Sequence, residues 1–232
     1  ANTLSYVETS TEEKPQGVDY RLTINNVAVT DRTNLVVMDI IPHDGDGRGS
    51  QWDLVFDRID SATIVKADGS SGGDASYIPY YYTGENVSGL SSQIMGAQDW
   101  ENGTLPDGWV ASVDDLSTVK AFVLQFTEDV ILEDGDSLVV NYSTKVPEYD
   151  ALELADIAYT NTVNHFYAYY DDISPEDSNI TTPGLSELVS NRVSVTIGPN
   201  RVNVGGVVWI DKNEDGQRQN DETIDNFQNH EL

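Results

Sequence analysis

The stretch "VDYRLTI", residues 18–24, sets Val18, Tyr20, Leu22 and Ile24 on one side of an extended chain, with polar residues between them. Successive side chains of a strand point to opposite faces, so this period of two predicts a strand with one buried face. The same reading extends outward. "SLVVNYSTK" repeats the pattern with Leu138, Val140 and Tyr142, and "NRVSVTI" repeats it with Val193, Val195 and Ile197. "NLVVMDII", "WDLVFDRI", "SYIPYYYT", "VKAFVLQF" and "IAYTNTVNHFYAYY" are further strand candidates, separated by the turn-forming segments "HDGDGRG", "ADGSSGGD", "LPDG" and "LEDGDS". A helical stripe of useful length is missing, a short turn near "SSQIMGAQDW" aside. Many short strands punctuated by Gly and Asp predict an all-β sandwich.

Composition agrees with that class. The 232 residues suffice for one large β domain, or one domain and a fragment of another. The hydrophobic fraction is 38%, lower than in most globular chains, but it is gathered into short runs, as strands require. Acidic residues number 40 against 12 basic ones, a formal net charge of −28. Such a surface repels phosphate backbones and anionic lipid, and argues against a nucleic-acid partner. The absence of cysteine removes disulfides, thiolate nucleophiles and thiolate zinc sites. No run of roughly 18 apolar residues is present to span a bilayer. The opening "ANTLSYVETS" reads as a processed or excised segment, with room for export or anchoring signals outside it.

A boundary is expected near "IGPNRVN", where Gly198-Pro199-Asn200 ends one strand and "VNVGGVVWI" begins another unit. Residues 1–200 are read as one β-sandwich. Residues 201–232 are too few for a core of their own and read as the first strand and loop of a second, truncated module.

That loop is "DKNEDGQRQNDE", residues 211–222. It matches the calcium pattern D-x-[DN]-x-[DN]-G-x5-E with Asp211, Asn213, Asp215, Gly216 and Glu222, and puts Gln217 at the position that donates a backbone carbonyl. The spacing has a chemical cause. Calcium takes six to eight hard oxygens, alternate side chains of a tight loop supply several, Gly216 permits the reversal, and Glu222 can close the sphere bidentately. Gln219 stands where a ligand often acts through water. A sensor of this kind needs a helix on each side of the loop. Here the preceding residues are β-branched and aromatic, which favours a structural calcium site over a switch.

"GGVVWIDKNEDGQRQNDE" resembles the start of the SdrD B-like (Cna-B-like) repeat of Gram-positive cell-wall surface proteins. Carried over position by position, the resemblance implies calcium ligands at Asp211, Asn213, Asp215, Gln217 and Glu222, and a calcium ion that rigidifies a stalk. The rest of that repeat is missing here. "VDYRLTINN" and "TNLVVMDIIPHDGDGRGS" resemble the Ig-like repeats of bacterial surface adhesins, which often precede such modules. The resemblance implies an Ig-like sandwich, an extracellular, cell-wall-attached location, an adhesin or stalk role, and an unidentified host or surface ligand, protein or glycan.

Some members of these families carry a Lys–Asn isopeptide bond, made by a lysine amine, an asparagine carboxamide and a buried acid. Asn161, Asn164 and Asn191 are candidate amides and Asp39 a candidate acid. The first strand offers Arg21 where a lysine is needed, and the nearest upstream lysine is Lys14. An arginine guanidinium stays protonated and cannot replace the amine.

Signs of catalysis are lacking. His43, His165 and His230 are scattered, and there is no nucleophile elbow, metalloprotease helix or phosphate loop. The Asp44-Gly-Asp46 turn offers either a second cation site or a plain turn. Tyr80, Tyr81, Tyr82, Trp100 and Trp109 offer either core packing or a stacking platform for sugars, with alternate tyrosines on opposite faces. Two further readings therefore stand beside the stalk: a carbohydrate-binding module of a secreted enzyme, and a pilin-like or surface-layer subunit.

Overall fold

The computed structural model describes residues 17–101, 103–149, 153, 156–173, 181–183, 188–197, 208–209 and 224–225. Two compact units emerge, Ala1–Gly198 and Pro199–Leu232.

In the first unit, four strands form one antiparallel sheet: β1 (Gly17–Asn25), β3 (Val55–Val65), β4 (Ser71–Asp74) and β8 (Ser137–Lys145), in the order β1-β8-β3-β4. A second antiparallel sheet is built from β2 (Arg32–Ile40), β5 (Tyr77–Tyr82), β6 (Trp109–Val110), β7 (Ala121–Phe126), β10 (Phe166–Ile173), β11 (Thr181–Pro183) and β12 (Leu188–Val189). Its order is β11-β10-β2-β7-β5-β6, with β12 also paired to β10. A small pair joins β9 (Asn161–Asn164) to β13 (Val193–Thr196). The expected all-β sandwich is observed, and no helix among the described residues is long and apolar enough to cross a membrane.

The alternation in 18–24 does what it predicts. Tyr20, Leu22 and Ile24 are buried while their neighbours on β1 are exposed, and they lie opposite Tyr142, Val140 and Leu138 of β8. With Phe56, Phe122, Leu124 and Leu132 they form the core between the two sheets. Each fully buried side chain of this size contributes about 1.5–3 kcal/mol through removal from water.

The apolar run of β2 behaves differently, because both of its faces are covered. Leu35 and Val37 face the first core. Val36, Met38 and Ile40 face a second core, closed by the 310 helix Leu90–Asp99 and by Trp100 and Trp109. A run without polar alternation is what burial on both faces requires. The short turn expected near "SSQIMGAQDW" is this 310 helix.

One expectation is corrected. "IAYTNTVNHFYAYY" is not one strand. It breaks at His165, so that β9 pairs with β13 and β10 joins the second sheet. The break has a tertiary cause, since Asn164 Oδ1 and the His165 carbonyl both accept hydrogen bonds from Arg48 Nη1, at 2.8 and 3.1 Å.

In the second unit, β14 (Val208–Trp209) pairs antiparallel with β15 (Ile224–Asp225), placing Trp209 opposite Ile224.

Candidate functional site

Asp39 is the one acid in the buried run of β2 and is fully buried. Its strand neighbours in register are Phe122 on β7 and Phe166 on β10, so neither adjacent strand solvates it. Its partners come from farther away. Tyr142, at the centre of β8, donates its hydroxyl to Asp39 Oδ2 at 2.8 Å. Asn164, the last residue of β9, donates Nδ2 to the same oxygen at 2.9 Å and to the Tyr142 hydroxyl at 2.8 Å. These bonds tie three sheets together at one carboxylate oxygen.

The third contributor is the loop after β2. Gly45, Gly47 and Gly49 all have positive φ, at 81°, 75° and 96°. That backbone, open to glycine at little steric cost, gives the segment an alternating burial. The glycines face outward, while Asp46, Arg48 and Ser50 are buried. Arg48 Nε donates to Asp46 Oδ2 at 3.1 Å, Nη2 donates to the Ile40 carbonyl at 2.5 Å, and Nη1 reaches Asn164 as above. Its Nη1 also lies 3.6 Å from Asp39 Oδ1. Ser50 Oγ donates to Asp46 Oδ2 at 2.7 Å and accepts from the Val163 amide at 3.0 Å. The guanidinium therefore stands between two buried carboxylates, as buried charges must be paired.

Electrostatics follow from this packing. Burial pushes the Asp39 carboxyl up to about 6, held from going higher by Arg48 and by the bonds from Asn164 and Tyr142. Burial also works against ionised Asp46, but Arg48 and the Ser50 and Arg48 hydrogen bonds outweigh it, leaving Asp46 below the usual range. Burial, with Asp39 next to it, raises the Tyr142 phenol. Burial, then Arg48 and Arg192, lowers the His165 imidazole.

Of the candidate amides, Asn164 is the one brought to Asp39. Asn161 instead accepts from Thr196, and Asn191 is exposed. A lysine is missing from the arrangement among the described residues. Lys66 pairs with Glu133 and Asp136, Lys145 pairs with Asp57, and Lys14 lies outside the described residues. At the β1 position facing Tyr142 stands Tyr20, its ring stacked on Tyr142 at 5.0 Å between centroids. The acid and the amide are assembled, and a tyrosine and an arginine occupy their surroundings.

The other sequence candidates separate. The Asp44/Asp46 turn is not a cation site, because the Asp46 carboxylate turns inward to Arg48 and Ser50. Among the described residues no group of three or more His, Asp or Glu side chains could hold a metal. Nor do the aromatics form an exposed platform. Tyr80, Tyr82, Trp100 and Trp109 are buried in the second core, with the Trp100 and Trp109 ring centroids 4.8 Å apart and Trp109 Nε1 donating to Gln93. Tyr81 faces the first core instead, on the opposite side of β5. His43 bonds the Ile41 carbonyl and His165 bonds Tyr167, so these two histidines do not converge, and His230 lies outside the described residues.

Asp211, Asn213, Asp215, Gln217 and Glu222 also lie outside the described residues. The frame of their loop is described: β14 ends two residues before Asp211, and β15 begins two residues after Glu222. Two paired strands, rather than two helices, bracket the loop. The donor set itself, acid and amide oxygens with one backbone carbonyl, suits a hard cation such as calcium.

No family model, curated protein or solved structure matches this chain.

Proposed function

We propose that this chain is a non-enzymatic segment of a bacterial cell-surface protein, an adhesin or stalk, in which calcium held by Asp211, Asn213, Asp215, Gln217 and Glu222 stiffens the start of a second module. The observation that carries this reading is the pairing of Trp209 with Ile224. It favours a loop whose ends are already held together, so that calcium adds rigidity without swinging a helix. Two further features support it. In the buried cluster around Asp39, the carboxamide, the guanidinium and the Asp46 carboxylate are engaged by protein partners. The charge of −28 also suits an extracellular setting where divalent cations are available to an acidic surface. The partners are an unidentified host or surface ligand, protein or glycan, and neighbouring domains of the same polypeptide. A calorimetric calcium titration of the whole chain tests the proposal. One binding event that disappears in Asp215→Ala is expected, and the absence of binding at millimolar calcium would overturn it.

A further inference from the structure

We infer that the buried cluster of Asp39, Asp46 and Arg48 is an acid-strengthened lock, holding β2, β8, β9 and the 43–50 loop together more firmly when Asp39 takes up a proton. Two carboxylates, fully buried at the side chain, face a single guanidinium that is itself 4% exposed. With both acids ionised the cluster carries one uncompensated negative charge in a setting where unpaired charge is costly.

The geometry decides which acid yields. Asp46 has the closer hold on Arg48, with its Oδ2 3.1 Å from Nη2 and from Nε, and it accepts from the Arg48 amide at 2.7 Å and from Ser50. Asp39 has Arg48 only at 3.6 Å, and its Oδ1 is buried with no partner at hydrogen-bond geometry, the Ile40 amide exerting only the weakest of the pulls that keep this carboxyl ionised. A carboxylate oxygen without a donor is the place where a proton costs least. The other groups facing Asp39 do not supply a charge that would keep it ionised. Tyr142 from β8 and Asn164 from β9 are neutral donors, and Tyr20 from β1 is a neutral phenol. Burial, then Arg48 and Arg192, lowers the imidazole of His165 after β9 and so disfavours its cationic form, and Phe122 and Phe166 flank Asp39 in register. Asp39 Oδ2 accepts both of its bonds, so a proton on Oδ1 leaves them intact.

The consequence for stability has a definite sign. Asp39 titrates near 6 when folded and at an ordinary carboxylate value when unfolded. Folded protein therefore binds a proton that unfolded chain does not over about pH 4–6, and stability from this group falls as pH rises through that window. The stabilisation is complete below it and lost above it. Asp46 runs the other way and loses its contribution only at lower pH, as its own carboxyl protonates.

The test is urea unfolding of the whole chain from about pH 7.5 to about pH 4.5, at fixed salt and calcium, for the natural chain and for Asp39→Asn. Relief of the general negative charge affects both proteins and cancels in the difference. The natural chain should gain, relative to the variant, about tenfold in its folding constant per pH unit through the window. Parallel pH profiles would overturn the inference. Should Asp39→Asn fail to fold, the carboxyl carbon resonance of Asp39 in the natural chain gives the same answer. A midpoint near 6 supports the lock, and a midpoint in the ordinary carboxylate range refutes it.

Discussion

Arg48 donates to the side-chain oxygen of Asn164 at 2.8 Å, joining a glycine-rich loop to the end of β9 across 116 residues of sequence. The same guanidinium holds Asp46 and faces Asp39, so one side chain orders a loop, ends a strand and balances buried charge.

Arg48→Met should therefore be among the most destabilising single changes in the sandwich. It leaves two carboxylates buried without a cation, a loss of about 3–5 kcal/mol. Urea unfolding at neutral pH measures it. Adding Asp39→Asn to Arg48→Met should recover part of the loss by removing one of the stranded charges, whereas purely additive losses would show that charge balance is not the cause.

The stacked tyrosines should respond unequally to loss of a hydroxyl. Tyr142→Phe removes the donor to Asp39 and the acceptor for Asn164, at about 1–3 kcal/mol. Tyr20→Phe removes a buried hydroxyl with no hydrogen-bond partner and should be neutral or stabilising. Equilibrium unfolding of the two variants compares them directly.

The second core should betray itself through its tryptophans. Trp100→Ala empties a site packed against Tyr80 and Trp109 and should cost about 3–5 kcal/mol. Trp52, Trp100 and Trp109 are all buried, so these three should resist aqueous fluorescence quenchers until the chain unfolds. Any glycan bound by the protein should not depend on Trp100 or Trp109, because neither ring is exposed.

Intact-mass measurement should return the full sequence mass. Asp39 and Asn164 meet, but no lysine amine among the described residues reaches them, and Tyr20 fills the neighbouring position on β1. A deficit equal to one ammonia that peptide mapping places in a lysine cross-link at Asn164 would mean that an amine has displaced the Asn164 amide nitrogen, contrary to the arrangement seen.

Much of this was legible in the residues. The alternation of β1 and β8 predicts their inward faces because burial on one side leaves a period of two. The continuous run of β2 carries a different message, two covered faces, and its cover was harder to find. The 310 helix Leu90–Asp99 has no regular apolar stripe, so its packing on Val36 and Met38 shows only in three dimensions. Asp39 and Asn164 were recognisable as an acid and an amide of interest. Arg48 was not, since "DGDGRGS" has the composition of a solvated turn. The signal was present in its glycine spacing, which turns Asp46, Arg48 and Ser50 inward. The break at His165 was hidden for a related reason: strand propensity runs straight through "TVNHFYAYY", and the long-range bonds from Arg48 override it.

The proposal that calcium stiffens this surface segment is tested most directly by thermal unfolding and limited proteolysis of the whole chain, in millimolar calcium and then in excess chelator. Calcium should give a higher melting temperature and slower cleavage within residues 201–232, both reversed by chelator and both absent in Asp215→Ala. If calcium changes neither melting temperature nor cleavage, the structural-calcium reading is contradicted.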